Sequence, residues 1–196
     1  MKIINNRTTE YPVDDIFLKR YSPRALSGGS ISKEELMTLF EASRWAPSSY
    51  NAQPWRFIYA MRDTPEFEKL FSFLIDFNKE WCIKAATLIV VISKKTFEHN
   101  GKENVNHSSD VGAAWENLAL QAQFMNLVAH GMNGFDYEKT KVELYVPDDY
   151  QVEMMIAVGK HGKMEDLPEK LREGEKPNQR KKLEEIIFEG KFRTQV

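Results

Sequence analysis

Arg20-Tyr21-Ser22-Pro23-Arg24, with two arginines four residues apart and a hydroxyl between them, is the first place where this sequence could do chemistry. A guanidinium grips a phosphate bidentately, and a serine hydroxyl adds a neutral donor, so the run is suited to clamp an anion. A solvated basic loop carries the same pattern. Ala46-Pro47-Ser48-Ser49-Tyr50-Asn51-Ala52-Gln53-Pro54-Trp55 offers the opposite character, small hydroxyls and amides without charge. It fits an uncharged heterocycle or a phosphoryl edge, or serves only as a helix-to-strand connector. In His130-Gly131-Met132-Asn133-Gly134-Phe135-Asp136 two glycines let backbone approach a flat ligand, although a plain β-turn uses the same residues. Pro177-Asn178-Gln179-Arg180-Lys181-Lys182 is a charge run that becomes a site only with a partner from elsewhere in the fold.

Several other chemistries are excluded. The chain has no Gly-x-Gly-x-x-Gly and no Walker loop, so neither glycine-rich phosphate cradle is present. It has no Gly-x-Ser-x-Gly elbow. His99, His107, His130 and His161 never pair at metal-ligand spacing, and no metal is expected. Cys82, the single cysteine, rules out an intrachain disulfide and a multi-thiolate zinc site, and its position ahead of an apolar run assigns it to the core. The 27 Lys+Arg against 29 Asp+Glu leave a formal charge of -2, which is no footprint for nucleic acid. Hydrophobic residues make up 42% and charged residues 29% of the 196, the profile of a globular chain. No run approaches the roughly 20 apolar residues of a membrane span. The start, Met1-Lys2-Ile3-Ile4-Asn5-Asn6-Arg7, lacks the apolar stretch of a signal peptide. The expectation is a cytoplasmic, soluble protein with no membrane or nucleic-acid partner.

The elements that position these segments follow from periodicity and punctuation. Ser32-Lys33-Glu34-Glu35 is a capping box, with Ile31 and Leu36 at the staple positions. Leu36, Leu39, Phe40 and Ser43 then share a face, which predicts a helix over about 33–45. The prolines of 46–54 end it. Trp55 to Met61 reads as a strand, and Thr64-Pro65 opens a second helix. Thr87 to Ile92 is a strand covered on both faces. A polar loop follows over 94–109, with a turn at Asn100-Gly101. Asp110 to about Leu127 is the longest helical candidate. Its Val111, Ala114, Trp115, Leu118, Ala119, Ala122 and Met125 face is apolar enough for a core or a subunit interface. Met132 to Phe135 is a short extended or turn segment, followed by a helix to about Leu144, a Pro147-Asp148-Asp149 loop and a last strand at Glu153 to Val158. Residues 160–185 are mostly charged, an arm that lies on something else or a mobile tail. The class is α+β, a single domain over 1–196 whose charged C-terminal arm spans about 160–196.

Taken in this order, the segments resemble the FMN-dependent nitroreductase family. The resemblance rests on Arg20-Tyr21-Ser22-Pro23-Arg24-Ala25, the Pro47-Ser48-Ser49-Tyr50-Asn51-Ala52-Gln53-Pro54-Trp55 run, Phe77-Asn78, Gly131 to Asp136, and the late Arg180. It spans about 15–190. It implies a mixed sheet flanked by helices in an intertwined homodimer, with one FMN in each of two clefts between subunits. On that resemblance Arg20 and Ser22 bind the FMN phosphate and ribityl chain, Tyr21 contributes its backbone, and Arg24 stands near the flavin N1–C2=O edge. Pro47, Ser48, Ser49 and Asn51 reach the flavin of the other subunit. Asn78 contacts the pyrimidine edge, Asn133 and Gly134 lie behind the ring with an N–H aimed at N5, and Arg180 closes on the phosphate. The sequence departs from the pattern at Trp81 and Asn178, where members carry basic residues, and at Asn133, where they carry an acid.

The chemistry suits these residue types. Reducing a flavin places negative charge on N1–C2=O, and a preorganised arginine there stabilises it without ever deprotonating. No side chain stands out as a general acid, and the resemblance implies that the flavin itself, at N5, carries the redox chemistry. The implied activity is hydride transfer from NADH or NADPH through FMN to a small-molecule acceptor such as a nitroaromatic or quinone, by a ping-pong mechanism. A second reading is a flavin-binding or flavin-free α+β dimer that acts as a sensor or scaffold.

Overall fold

Strand β2 (Thr87–Lys94) organises the molecule, because every residue from Thr87 to Ser93 is buried. In the computed structural model, which describes residues 5–193, it lies at the centre of a four-stranded sheet. Met1–Ile4, the start of the stretch read above for a leader, and residues 194–196 of the arm lie outside the described residues. With β1 (Trp55–Met61), β3 (Leu127–Met132) and β4 (Tyr150–Lys160), the sheet order is β1-β2-β4-β3. All three pairings are antiparallel, so the mixture of strand directions implied by the resemblance is not seen among the described residues. The α+β class holds.

Side chains alternate across a strand, and β2 therefore feeds two cores. Leu88, Val90 and Ile92 point into one, where α3 (Pro65–Ser72) and α4 (Asp76–Cys82) contribute Phe67, Leu70, Trp81 and Cys82. Ile89 and Val91 point into the other, against Leu36 and Leu39 of α2 (Lys33–Arg44) and Val111, Ala114, Leu118 and Ala122 of α5 (His107–Phe124). Both bonds of the Ser32 capping box are formed, at 2.6 and 3.0 Å, and the staple residues Ile31 and Leu36 are buried. Of the apolar face of α5, Val111, Ala114, Leu118, Ala119 and Ala122 are buried within their own chain, while Trp115 and Met125 are half-buried against the core.

Several boundaries moved, and one helix was not expected. Helix α5 starts at His107 inside the expected polar loop and stops at Phe124, where Asn126 turns the chain with φ 55°. Leu127, expected to end that helix, instead opens β3, which runs to Met132 against β4. Helix α4 was not expected; its buried Asn78, Trp81 and Cys82 recur at helical spacing. Two short helices, α1 (Asp15–Lys19) and α7 (Glu169–Arg172), flank α6 (Tyr137–Glu143) in chain order. The arm lies on the body through residue 175: Leu167, Leu171 and Glu175 are buried. Ser27 N–H donates to the Lys160 carbonyl at 3.0 Å, and Gly162 N–H to the Ala25 carbonyl at 2.7 Å.

Candidate functional site

The Arg20–Ala25 stretch has no regular secondary structure, and side chains from three remote places hold its backbone. Arg7 Nη1 donates to the Arg20 carbonyl at 2.5 Å and to the Leu18 carbonyl at 3.1 Å. His130 of β3 sets Nδ1 3.0 Å from the Pro23 carbonyl. Glu175 of the arm accepts from the Arg24 and Ala25 N–H groups at 2.7 to 3.0 Å. Together these contacts shape one wall of a cavity of about 400 Å³.

The cavity is strongly cationic. Arg7, Arg20, Arg24, Lys176 and Arg180 all line it, with Tyr21, Ser22, His130 and Asn178 between them. Arg20 Nη1 lies 3.3 Å from Ser22 Oγ, and its Nε lies 3.6 Å from Glu116. Arg24 Nε is buried and bonds to nothing among the described residues, while the guanidinium sits 5.7 Å above the Phe77 ring. An orphaned donor at the wall of a site walled by cations calls for an anion. Burial, with Arg180 and Arg20 alongside, lowers the Arg7 pKa. Burial pushes the Tyr21 phenol up to about 12, with Glu175 adding to the rise. Burial also brings the His130 imidazole down to about 4, and the Arg24 and Arg20 charges push the same way. His130 is therefore a neutral ring at neutral pH, packed on Trp81 with centroids 4.6 Å apart.

A larger cavity of about 740 Å³ shares Arg7, Arg20 and Arg180 and continues along Tyr11, Val13, Phe17 and Leu183. The two arms meet there: Arg7 Nε donates to the Asn178 carbonyl at 2.8 Å, and Leu183 N–H to Glu10 at 2.9 Å.

The remaining candidates lie elsewhere. Pro47, Ser48, Ser49 and Asn51 do not line the cationic cavity. Their loop leaves the end of α2, and Ser49 N–H is held by Asp110 of α5 at 3.1 Å. Tyr50, Asn51 and Gln53 have φ of 51°, 54° and 46°, a concentration of left-handed non-glycine backbone that costs energy and is typical of functional loops. Asn78 and Gly134 do come together. Asn78 Nδ2 donates to the Gly134 carbonyl at 3.0 Å, and its Oδ1 accepts from Trp81 Nε1 at 3.3 Å, so the amide is engaged within the chain. A Cβ on residue 134 would lie 2.5 Å from Asn78 Nδ2, and one on Gly131 would lie 3.1 Å from the Trp115 ring. The close approach at both glycines is made by the protein's own side chains. Asn133 is exposed. Cys82 is fully buried, as expected for a core residue, and burial pushes its thiol far up.

Among the described residues no group of three or more His, Cys, Asp or Glu could hold a metal, and no helix is long and apolar enough to cross a membrane. The residues that sequence reading missed are Arg7, Lys176 and Glu175. None belongs to a motif. The alternation of 174, 176, 178 and 180 along the cavity is the only signal that could have marked Lys176, and it needs the fold to be seen.

Known proteins resemble the chain in sequence and in fold. The family model described as "Nitroreductase family" matches residues 17–80 and 74–160. A crystal structure described as an oxidoreductase containing FMN is 41% identical, with a TM-score of 0.94 and coverage of 100% of both chains. The oxygen-insensitive NADPH nitroreductase of Helicobacter acinonychis (strain Sheeba) is 31% identical over 132 residues, 66% of this chain and 57% of that protein. YdgI of Bacillus subtilis (strain 168) is 36% identical over 76 residues, 39% of this chain and 34% of its own length. With a cation-lined cavity, an α+β scaffold and a family match across most of its length, the chain belongs to the nitroreductase family.

Proposed function

We propose that the protein is an FMN-dependent oxidoreductase. It takes hydride from NADH or NADPH and delivers it to a small acceptor such as a nitroaromatic or a quinone. The observation that carries this reading is the convergence of Arg7, Arg20, Arg24, Lys176 and Arg180 on one cavity, with Arg24 Nε buried and unpaired. The donor set fits FMN, whose phosphate needs several N–H donors and whose ring needs a cation beside N1–C2=O. The names of the FMN-containing structural neighbour and the NADPH nitroreductase relative support the same cofactors.

When bound, the flavin supplies hydride acceptance and donation at N5. The chain's residues bind and orient. Arg20, Ser22 and Arg180 grip the phosphate end, with Tyr21 serving through its backbone. Arg24 faces the N1–C2=O edge. Asn78 and Gly134 brace the segment behind the ring through their mutual bond. Asn133 flanks that segment. The Pro47–Asn51 loop does not line this cavity, which favours a homodimer in which Pro47, Ser48, Ser49 and Asn51 complete the site of the neighbouring subunit. One accessible ring face would then serve donor and acceptor in turn.

Absorption spectroscopy of the purified protein tests the proposal. A flavin band that bleaches with NADH or NADPH is expected, with parallel double-reciprocal lines over a grid of donor and acceptor concentrations. A colourless protein that ignores added FMN refutes the cofactor. Light scattering at about 23 kDa with flavin bound refutes the shared cleft.

A further inference from the structure

We infer that Glu175 is a positioning residue for the cofactor cavity. It pins the 174–180 segment in the position that presents Lys176 and Arg180 to the anion, and it fixes the backbone from which Arg24 projects. The inference rests on the proposed reading of the cavity as the FMN site.

Glu175 is 2% exposed although it belongs to a highly charged arm. Its Oε1 accepts from Arg24 N–H at 2.9 Å and Ala25 N–H at 2.7 Å, and its Oε2 lies 3.0 Å from Arg24 N. Bonds to an ionised acceptor are the strong kind, and a buried carboxylate survives only when so compensated. Upstream, Arg172 closes the preceding turn on the Leu167 and Glu165 carbonyls, both at 2.9 Å. Glu175 N–H closes that turn on the Arg172 carbonyl at 3.1 Å, and the chain bends at 176 before it runs on along the cavity. Gly174, Lys176, Asn178 and Arg180 line the cavity, while Glu175 points the other way, into the body. A slip of this segment would carry Lys176 and Arg180 away from the cavity that they line. The bonds to Arg24 and Ala25 oppose that slip. They act on the same residue whose guanidinium lies along the cavity wall with Nε unpaired.

The test uses full-length protein, FMN as the probe, and two readouts: the FMN dissociation constant from flavin fluorescence, and the midpoint potential of the bound flavin. Glu175→Ala removes the acceptor. Glu175→Gln keeps one oxygen where Oε1 receives both N–H groups. Glu175→Ala is expected to weaken FMN tenfold or more and to lower the midpoint potential, and Glu175→Gln to stay within threefold of the parent in affinity. A purely structural role would lower thermal stability and leave the potential of the loaded fraction unmoved. Unchanged affinity and potential in Glu175→Ala overturn the inference. Where Glu175→Ala does not fold, Glu175→Gln decides alone, and a loss as large as that of Arg24→Ala overturns positioning. Arg24→Ala separates the two levels: if it too leaves affinity and potential unmoved, the placement of FMN fails. If it moves both while Glu175→Ala moves neither, only the role of Glu175 falls.

Discussion

Acidification should destabilise this protein through His130 well before carboxylates matter. Its folded pKa is about 4, set chiefly by burial and then by Arg24 and Arg20, against about 6.5 for an unperturbed imidazole. Between those values the unfolded chain binds a proton that the folded chain refuses, so stability falls as pH falls. Above about pH 7.5 neither state is protonated and the linkage vanishes. At pH 5 the unfolded imidazole is favoured by a factor of about 30, so this one residue costs about 2 kcal/mol relative to pH 7.5. The assay is urea unfolding of FMN-free protein at both pH values, for the parent and for His130→Gln, which keeps a donor near the Pro23 carbonyl. With a slope of roughly 2 kcal/mol/M, the parent midpoint should drop about 1 M further than that of the variant. The double difference cancels the other titrating groups. Equal drops, or a His130 ring that titrates near 6.5 by NMR, would refute the account of its burial.

Arg20→Ala should weaken FMN binding about tenfold or more, since it removes a charge-assisted contact of roughly 1.5–3 kcal/mol; an unchanged fluorescence titration removes Arg20 from the site. Gly134→Ala should destabilise by roughly 1–3 kcal/mol in urea, because its Cβ would lie 2.5 Å from Asn78 Nδ2 and 2.8 Å from Ile75 Cδ1. Gly112→Ala, in α5 with nothing within 4 Å of the added carbon, should instead stabilise by roughly 0.5–1 kcal/mol. Cys82 should resist a thiol reagent at pH 8 in the native protein and react once unfolded, as its burial raises the thiol pKa; rapid native labelling contradicts a sealed core.

Local physics was legible in the sequence, and the α+β class with it. The Ser32 capping box, the Trp55–Met61 strand and the doubly covered Thr87 strand rest on contacts within a few residues or on a periodicity the chain carries itself. Arg20, Ser22, Arg24 and Arg180 could be named because two motifs and a resemblance marked them, and the fold brings all four to one cavity. What the sequence left open depends on long-range closure. Whether Leu127 ends a helix or starts a strand is decided by the open edge of β4, which offers ladder bonds to it. Asn78 and Gly134 find each other across 56 positions, and Glu175 finds Arg24 across 151. A glutamate in a charged arm looks like any solvated acid until the body places two backbone N–H groups before it. Arg7 likewise becomes part of a cavity only when the two arms meet. Composition and period describe each residue's preference for water or core, but which remote partner makes a buried charge tolerable is a property of the tertiary structure alone.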